Sequence, residues 1–108
     1  MRPTTYRHTT TRANLASILA EGLDPKRATG KKELVWLHTP ARTVWAILHT
    51  QKRHGAVLAD VVTLEVSIPR SWVVRAWRGL WTCDRHIPAD RIRILETGEE
   101  TASSPIGK

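Results

Sequence analysis

Residues 6–10, with the sequence YRHTT, are the stretch on which the predicted fold depends. They predict a short strand that ends in a cluster of polar side chains. His8 then lies at the mouth of a strand-to-helix turn, beside Arg7 and several threonine hydroxyls, and this combination makes His8 a candidate anchor for a polar ligand. The alternative is a surface strand end whose threonines act only as capping residues.

A short helix is predicted directly after this strand. Thr11 stands at the position of its N-cap, and Leu15, Ile18 and Leu19 have the i, i+3, i+4 spacing of a buried helical face. Gly22 is the residue type that ends helices in a left-handed conformation. We therefore expect the helix to turn these three apolar side chains inward.

A second helix is predicted after an apolar strand at residues 34–38. It begins at Pro40, whose missing N–H costs nothing at the first helical position, and continues to about Arg53. Its inward residues are predicted from their spacing to be Val44, Ile47 and Leu48.

The rest of the chain is predicted to be mainly β-structure. Strands are expected at residues 61–66, 72–77, 80–83 and 92–94, with a single helical turn at residues 89–91. Helices early and strands late favour an α+β domain with a mostly antiparallel, strongly bent sheet. The domain is expected to occupy residues 1–96, and residues 97–108 are expected to form a disordered tail.

The composition restricts the partners and the compartment. The 17 Lys and Arg residues outnumber the 10 Asp and Glu residues, and the net charge of +7 favours a polyanionic partner, with solubility alone as the alternative. The single cysteine, Cys83, excludes an intrachain disulfide and favours a reducing compartment. No apolar run suits a membrane span or a signal peptide, so we expect a cytoplasmic protein with no membrane partner. The histidines lack metal-ligand spacing, and no metal site is expected.

Four segments together resemble the catalytic lobe of the RNA 2'-phosphotransferases, a branch of the ADP-ribosyltransferase superfamily. HTT at residues 8–10 and ILAEGL at residues 18–23 are similar to the family's His-Gly-Thr strand and its Ile-Leu-x-x-Gly-Leu helix end. VWLH at residues 35–38 resembles its Val-His-Leu-Ser strand. RHG at residues 53–55 matches its Arg-His-Gly, and GLWTCD at residues 79–84, followed by Ile-Pro, resembles its Gly-Val-Trp-Leu-Thr-Asp and Val-Pro.

The resemblance implies an ADP-ribosyltransferase-like fold, a split and bent antiparallel sheet with two helices, and NAD as the cofactor. In this superfamily NAD lies in the split cleft, and its nicotinamide–ribose bond is broken through an oxocarbenium-like transition state. The implied acceptor is RNA or another phosphorylated group. The family enzyme also has an N-terminal RNA-binding lobe, so we expect a minimal catalytic lobe here, with a partner chain as a candidate source of the missing groups.

The resemblance and the chemistry of NAD together suggest roles for particular residues. His8 is expected to hold the ribose, and Thr9 and Trp36 are the candidates to hold the nicotinamide. The candidates to meet the pyrophosphate are Arg12, at the N-terminus of the first helix, Arg7 and Arg53, because a helix N-terminus already favours anions. The catalytic candidates are His8, Arg53 and His38, and the cofactor-binding candidates are Arg7, Thr9, Thr10, Arg12, Trp36 and Trp81.

The sequence departs from the family pattern at several of these positions. Thr9 replaces a glycine, Trp36 replaces the second histidine, and His38 occupies the serine position. Of the family's catalytic arginines, only the one matched by Arg53 has a counterpart. Residues 80–82 contain no glutamate, although other ADP-ribosyltransferases carry a catalytic one in the matching region.

The main candidates also have purely structural interpretations. Trp36 is equally a core residue of an apolar strand, Arg53 complements the dipole of its helix, and His38 is a neighbour of a helix cap. Two other functions therefore stay open: a non-catalytic module that binds NAD, ADP-ribose or a nucleic-acid end, and a basic nucleic-acid-binding protein.

Overall fold

A computed structural model describes residues 3–28 and 32–95, so the predicted tail at residues 97–108 lies outside the described residues. The helices and strands are β1 (Thr4–Thr11), α1 (Leu15–Glu21), β2 (Val35–His38), α2 (Thr43–His54), β3 (Val61–Ile68), β4 (Val73–Trp77), β5 (Leu80–Cys83) and β6 (Ile92–Ile94). Every predicted strand is present, with ends that differ by at most two residues from the prediction, and a 3-10 turn occupies Ala89–Arg91. Within the described residues, no helix has the length and apolar character that a membrane span requires.

The strands form one sheet in the order β4-β5-β2-β1-β3-β6, and every neighbouring pair is antiparallel. β1 pairs with β3 over its whole length, from Thr4 opposite Ile68 to Thr11 opposite Val61. Between β1 and β2, by contrast, the described residues share the single register pair Arg7–His38. The predicted α+β class is therefore confirmed. The six strands form one sheet, and its least paired boundary lies between two three-stranded halves, β4-β5-β2 and β1-β3-β6.

Successive residues of β1 face opposite sides of the sheet because side chains alternate along a strand. Tyr6 and its alternate neighbours lie on the side of the main core, to which α1 contributes Ile18. Arg7 lies on the other side, where its Nη1 donates a hydrogen bond of 3.0 Å to Thr43 Oγ1 at the start of α2. The fully buried core side chains are Leu37, Val62, Leu64, Val66, Ile68, Cys83 and Ile87.

The predicted inward face of α2 is wrong at two of its three residues. Val44 and Leu48 are 70% and 59% exposed, whereas Ile47 is half-buried and Ala46 and Thr50 are buried. The Thr50 hydroxyl is satisfied within the helix, where it donates to the Ala46 carbonyl at 2.8 Å. Apolar spacing was compatible with more than one rotation of this helix, and small side chains let it lie close to the polar side of the sheet.

The first helix also differs from the prediction in part. Leu19 is 41% exposed although Ile18 is buried. Thr11 makes no side-chain capping bond, because a 3-10 turn at Arg12–Asn14 separates it from α1. The predicted helix end at Gly22 is confirmed.

Candidate functional site

A cleft of about 880 Å³ opens where β1 and β2 separate, and it is bounded by residues of both strands, of α1 and of α2. Its volume lies in the range of small-molecule sites, roughly 300–1,000 Å³. Six of the residues predicted from the sequence line it: His8, Thr9, Thr10, Trp36, His38 and Arg53. The cleft thus collects residues that are far apart in the chain.

His8 is anchored across the gap between the two strands. Its Nδ1 lies 2.7 Å from the Trp36 carbonyl oxygen, and because a carbonyl can only accept, Nδ1 is the protonated nitrogen. Burial lowers the pKa of His8 below the ordinary value of 6.5, the hydrogen bond to Trp36 opposes this, and the nearby His38 lowers it further. His8 is therefore neutral at pH 7, and its Nε2 is a hydrogen-bond acceptor available to a ligand hydroxyl in the cleft.

A second set of side-chain hydrogen bonds crosses the same gap and has a defined direction. His38 Nδ1 lies 2.8 Å from the Thr39 carbonyl oxygen, so Nδ1 donates and the Nε2 of the neutral ring accepts. Nε2 is 2.7 Å from Thr9 Oγ1, which therefore donates to it. Thr63 Oγ1, at 3.3 Å, is then the donor to Thr9. We call this chain, Thr63 to Thr9 to His38 to the Thr39 carbonyl, the hydroxyl–imidazole relay.

The relay engages both ring nitrogens of His38 and so limits its contact with a ligand in the cleft. Burial is the main cause that lowers the pKa of His38, the bond to Thr39 opposes it, and the positive charge of Arg7 lowers it further. The side chain is 4% exposed, and both of its ring nitrogens are engaged by protein groups. A proton passing between His38 and a ligand would therefore have to pass through the Thr9 hydroxyl.

Aromatic rings form much of the cleft wall. Trp36 is 51% exposed although its neighbours Val35 and Leu37 are buried, so it is a cleft residue and not a core residue. From α2, the rings of Trp45 and His49 are stacked with centroids 5.0 Å apart and planes inclined by 9°, and both line the cleft. Trp45 and His49 were not among the predicted site residues. Their i, i+4 spacing with Arg53 in the chain was the available signal.

The charged groups of the cleft are mainly basic. Arg27, Lys32 and Arg53 line it, together with one carboxylate, Asp24. The Asp24 side chain accepts a hydrogen bond of 2.9 Å from the backbone N–H of Lys26 and so caps a 3-10 turn. Arg27 forms an ion pair of 2.7 Å with Glu21. The balance of charge at the cleft favours an anionic ligand.

Three predicted site residues do not line the cleft. Arg7 donates from Nη1 to Thr43 Oγ1 at the start of α2. Arg12 donates from Nε and Nη2 to the Ala59 carbonyl, at 3.2 and 3.0 Å, and ties the turn after β1 to the segment before β3. Trp81 packs against the core, where its ring meets that of Tyr6 with centroids 5.8 Å apart.

The part of the chain that the structure describes contains no group of three or more His, Cys, Asp or Glu side chains placed to hold a metal ion. The side chains that line the cleft carry imidazole, hydroxyl, guanidinium, ammonium, carboxylate and aromatic groups. No protein-family model matches this chain, and no curated protein matches it either.

Proposed function

We propose that this protein is an NAD-dependent transferase of the RNA 2'-phosphotransferase type, acting on a phosphorylated or nucleic-acid acceptor. The observation that carries the proposal is the position of neutral His8 at the gap between the two halves of the sheet, with its Nδ1 committed to the Trp36 carbonyl. A neutral imidazole held in this way offers its Nε2 to one hydroxyl with a fixed direction. A ribose hydroxyl is the partner that the proposal assigns to it.

The remaining cleft groups suit the other parts of a dinucleotide. The faces of Trp36 and of the Trp45–His49 stack suit planar rings, and a positively charged ring gains additional attraction from an indole face. Lys32 and Arg53 suit a pyrophosphate, for which guanidinium groups form paired hydrogen bonds. When bound, NAD would supply an activated glycosidic bond, and the chain's own residues would hold the ribose, exclude water and orient the acceptor.

A second candidate function is a non-catalytic module that binds NAD or ADP-ribose. This candidate is favoured by the shortage of carboxylates in the cleft. The one carboxylate that lines it, Asp24, is engaged in capping a turn. A developing oxocarbenium ion is stabilised by a nearby negative charge, and the cleft offers no other carboxylate among the described residues. The two candidates share the ligand and differ in turnover.

Calorimetric titration with NAD and with ADP-ribose tests the shared part, and nicotinamide release in the presence of 2'-phosphorylated RNA tests turnover. Trp36→Ala should weaken NAD binding. Trp77→Ala is the matched control, because Trp77 is similarly exposed, at 68% against 51%, but does not line the cleft. Binding without release would select the non-catalytic module, and equal affinities of the two variants and the parent protein would refute the assignment of the cleft.

A further inference from the structure

A second concave surface, of about 550 Å³, lies at the β4 edge of the sheet. Its lining residues are Arg42, Arg75, Ala76, Trp77 and Arg78, and we call it the hairpin surface. This set combines three guanidinium groups with one indole and contains no carboxylate among the described residues. None of these residues lines the candidate NAD site.

The exposure of Trp77 has no explanation in core packing. The residue lies on an edge strand and is 68% exposed, whereas a large apolar side chain is usually covered. A bulge in β4 contributes to its position, because Arg75 is opposite Trp81 while Trp77 is opposite Leu80, which leaves Ala76 as the additional residue. Bulges redirect side chains and occur frequently next to functional sites.

The turn between β4 and β5 is held against the start of α2. Arg42 Nε donates to the Arg78 carbonyl at 2.9 Å, and the Thr39 N–H donates to the Gly79 carbonyl at 3.1 Å. Gly79 has a φ of 74°, and a Cβ at this position would lie 2.8 Å from Arg42 Cγ. The close approach of the turn to Arg42 therefore requires glycine, and it assembles the cations of two distant segments on one surface.

The hairpin surface is continuous with the cleft. The guanidinium of Arg42 lies over the ring of Trp45, 5.8 Å from its centroid, and Trp45 lines the cleft. Leu80, another cleft residue, is paired with His38 on one side and with Trp77 on the other. A chain molecule lying on the hairpin surface would therefore reach the cleft mouth.

We propose that the hairpin surface binds single-stranded nucleic acid, with a base stacked on Trp77 and the adjacent phosphates on Arg75 and Arg78. Arginine forms paired hydrogen bonds with phosphate oxygens, and an exposed indole offers a face that any unpaired base can cover. The net charge of +7 adds long-range attraction for a polyanion. A base within a duplex is already stacked on its neighbours, so the single strand is the form recognised.

Fluorescence anisotropy with labelled oligonucleotides of about 12 nucleotides, longer than many single-strand sites, tests this proposal without NAD. RNA and DNA of the same sequence are tested separately. Tight binding of either supports the proposal, and the ratio of the two affinities identifies the preferred nucleic acid. Trp77→Ala should weaken binding by about 5- to 150-fold, as for the loss of one stacked base. Trp77→Phe should recover much of that loss.

A plot of the logarithm of affinity against the logarithm of salt concentration gives a slope, and Arg75→Ala should make that slope shallower by about 0.7. Arg91→Ala is its matched control, because Arg91 is also exposed but precedes β6, at the opposite edge of the sheet. Equal losses in these two variants, or affinity unchanged by Trp77→Ala, would overturn the proposal. Failure of NAD binding would leave it standing, since the oligonucleotide assay does not involve the cofactor.

Discussion

At the residue scale, side-chain hydrogen bonds connect β1 and β2 beyond the point where the backbones of the two strands are paired. Thr9 is central to this bridge, because its hydroxyl donates to His38 and accepts from Thr63. The glycine that the resembled family has at this position could do neither. Thr9 therefore has a physical role here: it orients the His38 ring and connects the two halves of the sheet.

Thr9→Val should reduce the free energy of unfolding by about 1–3 kcal/mol, because it leaves the buried His38 Nε2 without a donor. Thr9→Ser keeps the hydroxyl and should cost much less. Urea unfolding of both variants gives the comparison. Equal stability of the valine variant and the parent would show that the relay carries no net energy.

Folding stability should also depend on pH through His8 and His38. Burial lowers the pKa of both side chains below 6.5, so the unfolded chain binds more protons than the folded chain between the lowered values and 6.5. Stability is therefore fully present above pH 6.5 and declines as the pH falls through that window. Urea unfolding at several pH values measures this decline, and His38→Asn should reduce it. A flat profile would contradict neutral buried imidazoles.

At the element scale, the loop after α1 depends on one close approach. Gly22 has a φ of 85°, and a Cβ there would lie 2.1 Å from the Ile87 carbonyl oxygen. The adjacent Leu23 exchanges two backbone hydrogen bonds of 2.9 Å with Ile87. Glycine at this position thus permits both the end of the helix and the bridge that attaches it to the segment before β6.

Gly22→Ala should destabilise the fold considerably more than Gly55→Ala. Both glycines have a positive φ, so both substitutions carry the backbone cost of about 1 kcal/mol or more. Only at Gly22 does the added methyl group meet backbone, because nothing lies within 4 Å of the Cβ position at Gly55. Thermal unfolding of the two variants makes the test. Similar losses would mean that the chain near Ile87 moves aside without cost.

The second helix provides another prediction, based on its observed rotation. Ala46→Leu should cost about 1–3 kcal/mol through overpacking, since Ala46 is buried against the sheet. Leu48→Gln should change stability by less than about 0.5 kcal/mol, because Leu48 is exposed. Chemical denaturation distinguishes them. A larger loss of stability for Leu48→Gln than for Ala46→Leu would instead support the inward face predicted from apolar spacing.

At the scale of the whole molecule, the internal strand β3 and the edge strand β4 differ in their burial. β3 lies between β1 and β6 and carries Leu64 and Val66, which are fully buried. β4 lies at an edge, and its Val74 is 69% exposed. The hairpin surface is therefore built on the less protected part of the sheet, as expected for binding segments.

Native-state hydrogen exchange should show this difference. The amides of β3 should exchange most slowly among the strands, through global unfolding, and those of β4 should exchange fastest. A single-stranded oligonucleotide that binds the hairpin surface should slow exchange in β4 and leave β3 unchanged. Uniform protection across the sheet would contradict the proposed difference between β3 and β4.

The sequence by itself determined the α+β class and the positions of the elements, because periodicity, turn residues and composition are local signals. Of the nine site residues that it suggested, six line the cleft. Only the tertiary structure decided the rotation of α2, the departure of Arg12 and Trp81 from the cleft, and the meeting of Arg42 with the β4–β5 turn. These features depend on strand register and on contacts between distant segments, and local sequence patterns do not encode the distance between segments.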